Sequence, residues 1–342
     1  MFSYKSNKSF FNEILSIKIT YNLSFNNILL ETQPEYPPWR LPTANICNEL
    51  KQIRKNRYSQ EQLKAIYLDH QQGHGDSFVV YTDGSKTDEG VAYSIITQDQ
   101  TISNKIPSTA TVFTSEILAI KQALEEHRDQ PNITICSDSK SAIQAICCYQ
   151  HKNPIIRQIQ QSLYHLPQTR LCWVPSHIGV QGNERADAAA RNATTMNETT
   201  PTPLPKSDHK CAIKASTFSK WKEKWNRTGD NKLRTIQHTL TKILPRGRHI
   251  RRWEVILARL RIGHTRMTHK YLMERQEPPQ CELCGDHLTV PHILTNCDGL
   301  RAERRRIFGR RTPSLEEMLK EHSAFNGKLF KYLSETNLIR EI

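Results

Sequence analysis

The sequence predicts an α/β domain built on a mixed five-stranded sheet flanked by helices. A mostly helical, basic carboxy-terminal region carrying a small Cys/His module follows it. Three observations carry this expectation. Between residues 78 and 195, strand-like and helix-like patterns follow in the order β-β-β-α-β-α-α-β-α, and a strand–helix–strand crossover in that order requires partly parallel pairing. Beyond "TPTPLP" at 200–205 the apolar spacing turns helical. Charge divides at the same place. Residues 199–342 hold 29 Lys and Arg against 15 Asp and Glu, whereas residues 78–198 hold 10 against 12 and residues 1–77 hold 9 against 7. The surplus behind the net charge of +14 therefore lies in the carboxy-terminal part, which charge alone reads equally as a phosphate-binding surface or as a well-solvated Lys/Arg-rich helical surface.

Each element has its local reason. Residues 1–45 are Asn-rich and end near the proline-broken "PEYPPWRLP". "SQEQLKAIYLDHQQ" (59–72) reads as a short helix, with Ser59 and Gln62 spaced as a capping box. Strands are expected at 78–82, 90–97 and 100–106, a helix at 115–127, a strand at 132–136 and a helix at 139–149. "NPIIRQIQQSLYHL" (153–166) places Pro154 in the first helical turn and Ile155, Ile159, Leu163 and Leu166 on one stripe. "RLCWV" (170–174) reads as the last strand, and "NERADAAARNA" opens the closing helix. The expected organisation is an amino-terminal remnant or linker (1–75), the α/β domain (76–197), a linker (198–206), a basic helical region (207–276), a Cys/His module (277–300) and a helical tail (301–342).

Composition narrows the class further. With 342 residues and 37% hydrophobic content, the chain has material for two or three domains. No run approaches the roughly 18 apolar residues of a membrane helix, and Lys5, Lys8, Glu13 and Lys18 interrupt the first thirty residues, against a signal peptide. Nine scattered cysteines then read as reduced thiols, so the expected setting is intracellular, cytoplasm or nucleus, and not secreted.

Four acids fall at element ends. Asp83 and Asp138 each follow an expected strand, and parallel neighbours about 4.8 Å apart would bring both to one sheet edge. Glu116 lies in the first turn of the crossover helix, on the face of Ile120 and Ala123, pointing inward. Asp187 lies near the start of the last helix. For any one of them alone a turn or helix cap is the more ordinary use, and it is the set of four that argues for a site. Converging carboxylates repel unless cations neutralise them, and all-oxygen ligation suits Mg²⁺ or Mn²⁺. Two such ions favour phosphodiester displacement.

"YTDGSK" (81–86), "TSEILAIKQAL" (114–124), "ICSDSKSAI" (135–143) and "WVPSHIGVQGNERADAAA" (173–190) resemble, in order, the motifs of type 1 ribonuclease H domains. The resemblance implies that Asp83, Glu116, Asp138 and Asp187 bind two Mg²⁺ ions. His177 would be a mobile-loop histidine assisting proton transfer or product release, with Gly179 and Gly182 lending the loop freedom, and Asn183 and Glu184 match the "GNE" before the last acid. It implies hydrolysis of the RNA strand of an RNA–DNA hybrid. No basic protrusion separates the helices expected at 139–149 and 153–166, so another element would have to hold the hybrid.

Cys281-x2-Cys284-x7-His292-x4-Cys297 offers a tetrahedral, structural Zn²⁺ set, with His287 as a competing ligand. Residues 251–284 resemble the carboxy-terminal region of non-LTR retrotransposon polyproteins, which follows a ribonuclease H domain. That resemblance implies that Arg259, Arg261, Arg266 and Lys270 face nucleic acid. The aromatic-x-Asp-Asp tetrad of a reverse transcriptase is absent, so that enzyme would be a partner encoded elsewhere. The alternative reading is a catalytically silent retroelement fragment that only binds nucleic acid.

Overall fold

The computed structural model describes residues 19, 27–30, 45–46, 58–72, 77–229, 231–238, 250–320 and 324–342. The "PEYPPWRLP" segment and residues 239–249 of the basic region lie outside them. The chain divides into two compact units, Met1–Thr217 and Phe218–Ile342.

The first unit contains α1 (Gln60–Gln72), β1 (Phe78–Lys86), β2 (Val91–Ile96), β3 (Thr101–Ile106), α2 (Val112–Glu126), β4 (Ile133–Ser137), α3 (Lys140–Ile146), α4 (Pro154–His165), β5 (Arg170–Trp173) and α5 (Gln181–Ala193). A further helix, α6 (Lys206–Arg227), begins within it. The sheet runs β5-β4-β1-β2-β3 and is mixed, β1 pairing β4 in parallel and β2 antiparallel. A two-residue strand, Asn45–Ile46, adds a sixth member in parallel with β5, so the sheet exceeds the expected five strands by a short edge.

Tertiary pairing moves several boundaries. The strand expected over 78–82 runs on to Lys86, because Asp83 pairs with Ser94 and Gly84 with Tyr93. "DG" is therefore strand rather than turn. The crossover helix starts at Val112, capped by the Thr111 side chain, which puts Glu116 past the first turn. The helix expected over 139–149 is shorter, Lys140–Ile146, with Ser139 as its cap. The last helix opens at Gln181 rather than at "NER", and its Val180 cap has no side-chain hydrogen bond. Residues 198–206 are more than a connector: Leu204 is buried in the core, and Leu204–Pro205 pair with Ile28–Leu29.

Alternation along β1 sorts the sheet's two faces. Val80 joins the core beneath α2 and α4 with Ile117, Ile120, Leu124, Ile133, Ile135 and Ile159. Val79 and Tyr81 join the opposite core, where α1 contributes Leu63 and Tyr67 and the 174–180 loop contributes Ile178 and Val180. Helix α1 is thus part of the domain's core, although the sequence assigned it to an amino-terminal remnant. Its Tyr67 hydroxyl lies 3.2 Å from that of Tyr81 and 3.3 Å from the Cys136 thiol.

The second unit holds α7 (Arg251–Ile262), α8 (Arg266–Glu274), α9 (Arg301–Phe308), α10 (Leu315–Leu319) and α11 (Asn326–Glu335). One core joins Leu257 and Leu260 to Val290, Ile293, Leu294, Phe308, Met318, Leu329, Phe330 and Leu333. Trp253 stacks on Phe330, with ring centroids 4.1 Å apart, and the Tyr332 hydroxyl donates to the Ile293 carbonyl at 2.7 Å. The expected module and tail are therefore one fold, because neither segment buries enough apolar surface alone.

Gly182 lies inside α5, where an added Cβ would meet the Tyr81 ring at 2.2 Å. It is a close-approach glycine, not a loop hinge. Gly182→Ala should lower stability by roughly 1–3 kcal/mol through overpacking, read as a lower urea midpoint at unchanged m-value.

Candidate active site and metal centres

Thr82 and Ser137 form the last paired positions of the parallel β1–β4 ladder, so Asp83 and Asp138 leave it side by side. Ser94, directly opposite Asp83, donates to the Ala186 carbonyl at 2.7 Å and ties α5 to the same face. The Trp173 indole donates to the Asp138 carbonyl at 3.0 Å. Glu116 approaches on α2, whose start rests on Gly84. A Cβ on that glycine would lie 2.5 Å from the Ser115 hydroxyl and 2.6 Å from the Glu116 amide. Only a residue without a side chain allows this approach.

The structure thus brings together Asp83, Glu116 and Asp138, each offering a carboxylate oxygen within 4.8 Å of the others. Asp187 belongs to a second group with His177 and Glu184, within the same mutual limit. Arg191, one turn further along α5, holds both Asp187 oxygens at 3.1 Å. His177 is exposed between the buried anchors Ile178 and Val174, at a φ of +58°. Gly179, at φ +76°, follows two positions later, and its amide donates to Glu184 at 3.4 Å. Asn183 is buried within α5.

Electrostatics marks the three-acid cluster. Burial, then the charges of Asp138 and Asp187, push the Asp83 carboxyl up to about 8. Burial, followed by the charges of Asp83 and Asp138, holds Glu116 well above the ordinary carboxylate range. Its Oε2 is buried with no hydrogen-bond partner. A buried, partnerless carboxylate oxygen facing other acids costs free energy unless a cation meets it. The donor set is all oxygen, so the residues present fit Mg²⁺ or Mn²⁺.

Cys281, Cys284, His292 and Cys297 also converge within 4.8 Å, without His287. Cys281 and Cys297 sulfurs lie 3.7 Å apart, and the Cys284 sulfur lies 3.3 Å from His292 Nε2. A turn closed by Gly285 at φ +80° returns the chain after the first two cysteines. Burial raises the Cys281 thiol, but hydrogen bonds with the Leu283 amide, His292 and the other two thiols outweigh it and bring it down to about 7. Two or more nearby thiols with an imidazole form a set that fits Zn²⁺.

The expected nucleic-acid contacts fare differently. Arg259 donates to the Ile342 carbonyl and Arg261 to that of Leu319, each at 2.6 Å, while Lys270 pairs with Glu274 at 2.6 Å. Arg259 and Arg261 thus hold this unit's own backbone, because α7 must anchor the carboxy terminus and α10. Arg266 is exposed at the start of α8. Sequence reasoning missed Ser94, Gly84 and Arg191. The i,i+4 spacing of Asp187 and Arg191 was a legible signal for the last; a cross-strand pair such as Asp83–Ser94 leaves none.

Residues 75–195 match the RNase H family model. The chain therefore carries an RNase H domain over that span. The Pol polyprotein of equine infectious anemia virus (strain Wyoming) is 33% identical to it over 121 residues, 33% of this chain and 10% of the viral protein. The Pol polyproteins of isolates 1369 and CL22 are 32% identical over the same length and shares. The chain thus spans about one tenth of the curated relatives it matches. Among the described residues, no helix is long and apolar enough to cross a membrane.

A carboxyl raised from 3.8 to about 8 keeps its proton in the fold while the unfolded chain has lost it. Between those values the native state binds more protons, so metal-free stability falls as pH rises from about 4 to 8. Asp83→Asn should flatten that fall and raise the metal-free Tm at pH 8 by several degrees, measured by calorimetry in chelator. Wild-type protein should gain more from Mg²⁺ at pH 8 than at pH 6, where protons compete with the ion.

Proposed function

We propose that this protein is a metal-dependent endonuclease that hydrolyses the RNA strand of RNA–DNA hybrids. The observation that carries the reading is the convergence of Asp83, Glu116 and Asp138 with a partnerless buried oxygen on Glu116, inside a matched RNase H domain. Asp83, Glu116, Asp138 and Asp187 would hold two Mg²⁺ ions. Ions held there would supply an activated water and stabilise the leaving 3′ oxygen, so that hydrolysis would leave 5′-phosphate and 3′-hydroxyl ends. His177, exposed on its loop beside Asp187, would carry a proton or help the product depart. Arg191 neutralises Asp187 when no cation does so.

The Cys281, Cys284, His292 and Cys297 set is read as a closed, structural zinc site that completes the second unit's core. The basic surface of that unit, with Arg266 exposed on it, would hold nucleic acid in place of the missing protrusion. Similarity to Pol polyproteins supports descent from a retroelement. Assignment to the non-LTR class rests on the region after the RNase H domain, and a separate reverse transcriptase would be its partner.

The test is cleavage of a labelled RNA–DNA hybrid in Mg²⁺. Wild type should cut the RNA strand, and Asp83→Asn should lose at least about a thousandfold in rate, since one fewer anionic ligand undermines electrostatic stabilisation of the transition state. Equal cutting by both proteins would refute the site. No cutting by folded, Mg²⁺-binding wild type would favour a binding-only fragment. For the second centre, purified protein should contain about one zinc per chain. Cys281→Ser should lose that zinc and unfold the second unit at lower temperature, seen as earlier loss of Trp253 fluorescence.

A further inference from the structure

We propose that Asp208, outside the matched RNase H segment, is a positioning residue for Glu116, and that the active site is incomplete without the segment that carries it. Asp208 lies thirteen residues beyond the end of the family match at 195, in the first turn of α6. It is fully buried, and it is the one buried residue of that 22-residue helix. Its carboxylate Oδ1 accepts from the Thr111 amide at 2.7 Å. The Thr114 hydroxyl donates to Oδ1 at 2.9 Å and Oδ2 at 2.8 Å, and the Ser207 hydroxyl reaches Oδ2 at 3.4 Å.

These donors are the start of α2. Thr111 is its cap, accepting from the Thr114 amide at 3.2 Å, and the Thr111 hydroxyl completes the ring by donating to Thr114 at 3.1 Å. A buried anion also suits the positive end of a helix. The next residues, Ser115 and Glu116, press onto Gly84, which adjoins Asp83. A chain of direct contacts therefore runs from Asp208 through the first turn of α2 to the acid pair. Its purpose follows from geometry: Glu116, Asp83 and Asp138 bring carboxylate oxygens within 4.8 Å of one another, and any negative charge they share before a cation binds forces them apart. The helix start that carries Glu116 must resist that force. A cap whose own side chain is neutral and short is reinforced by an ion from a distant segment.

This inference rests on the RNase H reading for its activity arm, but not for its binding arm. Asp208→Ala should raise the Mg²⁺ concentration for half-maximal hybrid cleavage about tenfold or more, the usual consequence of removing a group that orients a metal ligand. kcat should fall, with KM for the hybrid unchanged. Asp208→Asn, which keeps an acceptor for the Thr111 amide, should be intermediate. Thr114→Val should shift Mg²⁺ dependence in the same way, and its combination with Asp208→Ala should add little. Gln160→Ala serves as a stability control, since Gln160 is buried on α4 and its side-chain amide donates to the Ile146 and Cys148 carbonyls, away from the acids. It should lower Tm with no change in Mg²⁺ dependence.

The second readout is the Mg²⁺-induced rise in Tm, which needs no turnover. It should be smaller in Asp208→Ala and Thr114→Val than in wild type and Gln160→Ala. Should wild type prove inactive yet Mg²⁺-stabilised, this comparison still decides the matter, and the functional reading alone fails. Unchanged Mg²⁺ dependence in the Asp208 and Thr114 variants, or an equal shift in Gln160→Ala, overturns the proposal. Should Asp208→Ala not fold, Asp208→Asn and Thr114→Val carry the test.

Discussion

The crowding of two buried carboxylates, Asp83 and Glu116, against the half-buried Asp138 is the constraint on which the first unit depends. Asp83 stands on β1, Glu116 on α2 and Asp138 just past the end of β4, and the first two are held above their ordinary titration range by burial and neighbouring charge. Nothing intrinsic to the acids keeps them together. What does is side-chain burial beneath them. On α2 alone, Ile117, Ile120 and Leu124 are fully or almost fully buried, each contributing roughly 1.5–3 kcal/mol. That burial works against the desolvation and neighbouring charge that raise the Asp83 carboxyl.

Several smaller features act on the same constraint. Gly84 removes the side chain that would part α2 from β1. Ser94 fixes α5 against the strand opposite Asp83, so Asp187 comes close enough to feel the cluster without joining its innermost ring. Arg191 compensates the fourth acid locally. Asp208 braces the helix that bears the second acid. Carboxyl groups crowded in this way would be relieved by a divalent cation, which is how ligand binding comes to stabilise a fold.

The second unit is organised by a different chemistry with a similar logic. Its thiols and His292 come from a turn and a short π-helical segment that are themselves core elements, with Ile293 and Leu294 buried beside His292. Replacing Cys281 or Cys297 would disturb the same apolar cluster that α7 and α11 complete. Arg259 and Arg261, which charge pattern alone would send to nucleic acid, instead satisfy carbonyls at Ile342 and Leu319. Basic residues near the end of a helix often find such use, because unpaired carbonyls attract them.

Much was readable from residue order alone. The apolar periodicity located the five longer strands of the sheet and the helices between them, since burying one face imposes a period of 2 or 3.6 on any chain, but not the two-residue strands Asn45–Ile46 and Leu204–Pro205. The spacing of Asp83, Glu116, Asp138 and Asp187 marked the candidate site, and C-x2-C with His292 and Cys297 marked the second centre. Element ends were less legible. Whether "DG" turns or continues as strand depends on the partner Ser94–Tyr93 offers, which is a pairing choice and not a local propensity. Which acids meet within 4.8 Å, that Gly182 packs on Tyr81, and that Asp208 reaches back to Thr111 and Thr114 are all contacts between residues far apart in the chain. Sequence determined which groups were available, through side-chain chemistry and period; only tertiary structure decided which were neighbours, because long-range contact has no local signature.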